Sequence, residues 1–261
     1  MNEKPIGIFD SGIGGLTVVK EIKKLLPRED IIYFGDIGRA PYGSKSESLI
    51  VKYSKETLSF LLKNDIKLVV VACNTSASVS ISTLKKIFPN IIDVVEPVVD
   101  EAVKLAKKAI GVIGTKRTIF SGIYERKIKE KKPEIEVFSK ACPLFVPLVE
   151  EGWTNSSITK DICKKYLHEF IGKIDVLILG CTHYPLLENT IEEVIGNGII
   201  LVNSSKATAF STKAFLDKKD LLNTSGGRTI FYTSDEPEEF KRLGSLFLQT
   251  PIYDNAEMVE L

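Results

Sequence analysis

A chain of 261 residues with 44% hydrophobic content is long enough to bury one large core or two smaller ones, which excludes a largely disordered chain. Its 35 Lys and Arg nearly cancel its 34 Asp and Glu, leaving a formal charge of +1 and no global field to attract nucleic acid or an acidic membrane. The longest apolar runs, 68–73 and 176–181, fall far short of the roughly 20 residues that span a bilayer, and no apolar signal region follows the N-terminal charges, so no membrane association and a cytoplasmic location are expected.

In chain order, Ile- and Val-rich runs at 6–9, 31–34, 68–72, 92–95, 109–113, 135–138, 176–179, 199–202 and 229–232 predict nine short strands. Helix-period segments lie between them, such as 16–26, apolar at 16, 18, 19, 22, 25 and 26 and stopped by Pro27, and 48–62. Buried strands alternating with helices predict an α/β fold of mainly parallel sheets flanked by helices.

The first strand opens onto Asp10-Ser11-Gly12-Ile13-Gly14-Gly15-Leu16. A dinucleotide fingerprint would need its third glycine at position 17, where Thr17 stands, so the spacing rejects that reading. Three glycines ahead of a helix still let backbone N–H groups approach an anion closely, the alternative being a plain tight turn. Asp10, at the carboxyl edge of a sheet, is placed to bind or orient a polar group. After the second strand, the loop containing Pro41-Tyr42-Gly43-Ser44-Lys45 lacks the contiguous Gly-Lys-Ser/Thr of an ATP loop. It offers backbone donors at Tyr42 and Gly43 or is an ordinary surface turn.

The four cysteines, at 73, 142, 163 and 181, are too dispersed for a disulfide framework, and two histidines leave little material for zinc, so no metal is expected. Cys142 and Cys163 fit the role of small buried hydrophobes. Cys73 and Cys181 differ. Val69-Val-Val-Ala-Cys73-Asn74-Thr75 is echoed by Val176-Leu-Ile-Leu-Gly-Cys181-Thr182-His183, each an apolar strand giving way to Cys, polar residues and a helix. There, N–H groups and the helix dipole are expected to lower a thiol's pKa. One such cysteine beside His183 would suit covalent catalysis. Two in equivalent halves suit proton transfer at opposite faces of one carbon, since a single base returns a proton to the face it came from. The echo, the helix expected from Glu96-Pro97 and the polar loop at Gly114-Thr-Lys favour two pseudo-symmetric domains over one large sheet, and if these face each other across a cleft, the active site lies in the cleft between them.

The segments Asp10-Ser-Gly-Ile-Gly-Gly-Leu16, Pro41-Tyr-Gly43, Ala72-Cys-Asn-Thr75, Phe145-Val-Pro-Leu-Val-Glu150 and Leu179-Gly-Cys-Thr-His-Tyr-Pro-Leu186, in this order, resemble the bacterial glutamate racemases of the aspartate/glutamate racemase superfamily. Ser76 and Arg117 depart from common family residues but lie outside these segments. The resemblance implies cofactor-independent interconversion of L- and D-glutamate as small-molecule substrate, supplying D-glutamate for peptidoglycan, by a homodimer. By position, Cys73 is similar to the base acting on D-glutamate and Cys181 to the base acting on L-glutamate. Asp10, His183 and Glu150 resemble auxiliary acid–base residues, with Glu151 adjacent to the last. Asp10, Ser11, Tyr42, Gly43, Asn74, Thr75, Thr182 and His183 match substrate-binding positions. The implied domains are 1–96 plus 208–261, carrying Cys73, and 97–207, carrying Cys181.

Overall fold

The computed structural model describes residues 3–252 and 256–261. Its strands are β1 Ile6–Asp10, β2 Ile31–Gly35, β3 Leu68–Val71, β4 Ile91–Asp93, β5 Ala109–Gly114, β6 Glu136–Ala141, β7 Val176–Gly180, β8 Ile200–Asn203, β9 Thr229–Thr233 and β10 Glu257–Met258. The helices are α1 Leu16–Leu25, α2 Glu47–Leu62, α3 Asn74–Ile87, α4 Val95–Leu105, α5 Lys116–Phe120, α6 Ile123–Lys131, α7 Phe145–Glu150, α8 Ser157–Leu167, α9 Glu188–Ile195, α10 Ser204–Lys219 and α11 Pro237–Leu248.

Two sheets form, in the orders β10-β9-β2-β1-β3-β4 and β6-β5-β7-β8. Every strand pair in both is parallel. The interior strands β1, β2, β3, β5 and β7 are buried along their whole length, which is why they read as continuous apolar runs instead of alternating ones. In parallel sheets every carboxyl end lies on one edge, so the two polar edges can face each other across a cleft. The chain returns to its first sheet at the end: β9 pairs with β2, and the carbonyl of Leu221 and the side chain of Asn223 accept from the buried Lys67, itself 2.6 Å from Glu29.

The strand expected at 92–95 starts one residue earlier and stops at Asp93. The Asp93 carboxylate accepts from the amides of Val95 (2.9 Å) and Glu96 (3.0 Å), satisfying the first turn of α4 and drawing Val94 and Val95 out of the strand. The two-residue β10 was not among the expected strands, being too short for any periodicity to register. The expected domain limits, 96/97 and 207/208, each fall inside a helix, α4 and α10, and these two helices pack on each other.

Candidate active site

Six strand ends converge on one cavity of about 220 Å³ between the sheets. Ser11 and Gly12 follow β1, Pro41 to Ser44 follow β2, and Cys73 to Thr75 follow β3. From the other side come Thr115 and Lys116 after β5, Pro143 to Glu150 after β6, and Cys181 to His183 after β7. Of the residues singled out in the sequence, Cys73, Cys181, His183, Glu150, Ser11, Tyr42, Gly43, Asn74, Thr75 and Thr182 line this cavity. Asp10 does not. It is buried one layer behind, where its carboxylate accepts from the Gly12 amide at 2.9 Å and contacts the Cys73 thiol.

Cys73 is the N-cap of α3, and its sulfur accepts from the Ser76 amide at 3.4 Å while lying 3.3 Å from Ser11 Oγ. The expected drop in thiol pKa is overturned here. Burial in the cleft floor, reinforced by the negative charge of Asp10, outweighs these hydrogen bonds and pushes the thiol up to about 12. Burial raises the Asp10 carboxyl too, against the lowering effect of His183. The second half departs from the expected strand–cysteine–helix pattern: β7 leads through Cys181 into a short 3₁₀ turn, Tyr184–Leu187, before α9 begins at Glu188.

On that side, His183 Nδ1 lies 4.0 Å from Cys181 Sγ, and its Nε2–H donates to Glu150 Oε1 at 3.0 Å. Burial works against a charged imidazole, but the Cys181 and Glu150 partners prevail and raise His183 to about 10. Glu150, and not the adjacent Glu151, makes this bond. Phe247 of α11 meets the ring edge-on at 4.9 Å.

Gly14 explains one of the three glycines. A Cβ there would come within 2.2 Å of Thr182 Oγ1 and 2.5 Å of His183 Nδ1, so the two halves approach this closely only because position 14 has no side chain. The Tyr42 hydroxyl donates to Asp36, whose carboxylate also accepts from Arg39 Nε at 2.8 Å, so Tyr42 presents its ring and backbone to the cavity. Asn74 Oδ1 accepts from Tyr124 Oη at 2.5 Å, whereas the buried Asn74 Nδ2 has no protein partner.

The sequence singled out neither Thr115 nor Lys116, although the polar residues after an apolar strand at Gly114 were a visible signal. Thr115 Oγ1 lies 2.9 Å from Thr75 Oγ1, across the cleft. Trp153 is half exposed and off the cavity wall, and Cys142 and Cys163 are buried away from it. Among the described residues no group of three or more His, Cys, Asp or Glu side chains could hold a metal ion, and no helix is long and apolar enough to cross a membrane.

The family model described as Asp/Glu/Hydantoin racemase matches residues 6–211. The chain belongs to this racemase family. Its amino-acid racemase relatives, isomerases by class, include a glutamate racemase of Geobacter metallireducens, 46% identical over 94% of this chain and 93% of that one. Family structures superpose closely. The glutamate racemase of Francisella tularensis in complex with D-glutamate gives a TM-score of 0.94 at 39% identity, covering 100% of this chain and 98% of that one. A Picrophilus torridus aspartate racemase shares the fold, with a TM-score of 0.58 at 19% identity over 83% of this chain and 94% of that one.

Proposed function

We propose that this racemase interconverts L- and D-glutamate by moving the α-proton between Cys73 and Cys181. The observation that carries the reading is the pair of cysteines at corresponding strand ends, one from each half, lining a single cavity. In the L-to-D direction the Cys181 thiolate takes the Cα proton, forming S–H and leaving the electron pair on Cα. Cys73 then gives its own proton to the opposite face and is left as thiolate, and the reverse reaction exchanges these roles. The high pKa of Cys73 agrees with its entering the cycle from L-glutamate as a thiol. His183, charged beside Cys181, steadies that thiolate, whereas Asp10, behind Cys73, favours the protonated sulfur that delivers the proton to Cα. Glu150 keeps His183 charged and aimed.

An α-carbanion next to a carboxylate is costly, and the groups available to offset it are fixed donors: the backbone N–H groups of Asn74 and Thr75 at the start of α3, Asn74 Nδ2, and the hydroxyls of Ser11, Thr75 and Thr182. The Tyr42-Gly43 loop holds the distal carboxylate. The reading includes supply of D-glutamate to peptidoglycan in the cytoplasm, in keeping with four buried, unpaired thiols. It also includes pairing of two copies, for which the exposed Phe120 and Phe210 provide apolar surface and sedimentation is the test.

Solvent deuterium exchange at Cα tests the chemistry. The protein should incorporate deuterium from D₂O into both enantiomers, and Cys73→Ala or Cys181→Ala should each cost about 10² to 10⁴ in racemisation. Because the enantiomers are equal in energy, kcat/KM must fall equally in both directions. Full racemisation by either variant overturns the two-cysteine reading.

A further inference from the structure

The side chains that bind substrate on the Cys73 side do not hold their own orientation. Asn74 sits at the first position of α3 and is buried. An amide there can turn either its oxygen or its nitrogen toward the cavity. The oxygen would repel a carboxylate, and the nitrogen would donate to it. In the structure the oxygen is engaged: Tyr124 Oη donates to Asn74 Oδ1 at 2.5 Å, and Nδ2 is buried without a protein partner, in a residue that lines the cavity.

Tyr124 belongs to the other half. It lies on α6, is 2% exposed, and is absent from the cavity wall. Its ring is seated against β7 at Gly180, immediately before Cys181: a Cβ at Gly180 would stand 3.3 Å from Tyr124 Cε2 and 2.7 Å from the Ile113 carbonyl oxygen. A single buried side chain therefore rests on the strand end that carries one cysteine and fixes the residue next to the other.

We propose that Tyr124 is a positioning residue, which acts through Asn74 by locking the amide with its N–H toward the substrate carboxylate, and does so only when the two halves are together. This rests on the glutamate-racemase reading, and wild-type turnover of glutamate tests that reading separately. A phenol can also accept, so a flipped amide would keep its bond to Tyr124 but turn its oxygen on the substrate carboxylate; with the phenol donating, the N–H is left for the substrate, and a buried hydrogen bond of this kind is worth on the order of a tenfold change in binding.

Steady-state racemisation of Tyr124→Phe, Asn74→Ala and the double variant forms a cycle that a merely structural tyrosine would not satisfy. Tyr124→Phe should raise KM for glutamate about tenfold with a smaller effect on kcat, and the double variant should be no worse than Asn74→Ala alone. Multiplying effects in the double variant, or an unchanged KM in Tyr124→Phe, would overturn the proposal. Asn74→Asp provides an independent arm should the phenylalanine variant not fold. It keeps the acceptor for Tyr124 but replaces the donor with a carboxylate oxygen. Glutamate binding should then be lost while the melting temperature is retained, and unimpaired binding would refute the assigned orientation.

Discussion

His183 carries the most direct consequence at the scale of single residues. Its folded-state pKa, about 10, lies above the ordinary value of 6.5. A raised value means that the charged form contributes stability that is fully present below 6.5 and is lost as pH rises through about 10. With only two histidines in the chain, and His168 exposed, the two imidazoles are separable by NMR. The His183 resonance should titrate near 10, and Glu150→Gln, which removes one of the partners that raise it, should move the midpoint downward. An unmoved midpoint would show that Glu150 does not hold the proton there. Most of these residues were legible beforehand, because chemistry-bearing side chains at the ends of apolar strands stand out in a parallel α/β chain. The thiol chemistry was not legible. The sequence placed Cys73 at a helix start, which lowers a pKa, but could not show that the sulfur is buried beside Asp10, and that effect is larger.

At the scale of elements, the turn between β1 and α1 is shaped less by its own conformation than by what it touches. Gly14→Ala would force Thr182 and His183 to shift, since both lie within 2.6 Å of the added carbon. A displacement of that order in auxiliary groups is expected to cost about 10² in kcat/KM. The core of the first sheet is untouched by it, so the melting temperature should stay close to that of the wild type. Activity within threefold of wild type would show that the halves rearrange freely around position 14. The strands were readable where both faces are buried. Hydropathy misplaces β4, where Asp93 satisfies the first amides of α4 and ends the strand early, and it does not register β10. Capping is a competition between two uses of the same amides, and hydropathy does not register its outcome.

For the whole molecule, the division into two halves was legible from the repeated strand–cysteine pattern, yet the halves are less separable than the sequence implies. Buried residues of both sheets form one continuous cluster, from Ile6 in β1 to Val202 in β8 and Phe247 in α11. Polar bonds also cross between the halves: Thr17 donates to the Thr182 carbonyl at 3.2 Å, and Arg117 Nε donates to the Lys45 carbonyl at 3.0 Å. A shared core with a ligand cavity in the seam predicts that both sheets unfold in one transition and that substrate stabilises them together. Glutamate at about 100 times its dissociation constant should add about 2.7 kcal/mol. For a chain of this size that corresponds to a rise in melting temperature of roughly 5 to 10 °C. With the Tyr42-Gly43 loop holding the distal carboxylate, as proposed, aspartate, one methylene shorter, should give a smaller rise at equal concentration. Calorimetry distinguishes the outcomes: two transitions, with glutamate moving only one, would mean that ligand binds one half and the seam is not a single site.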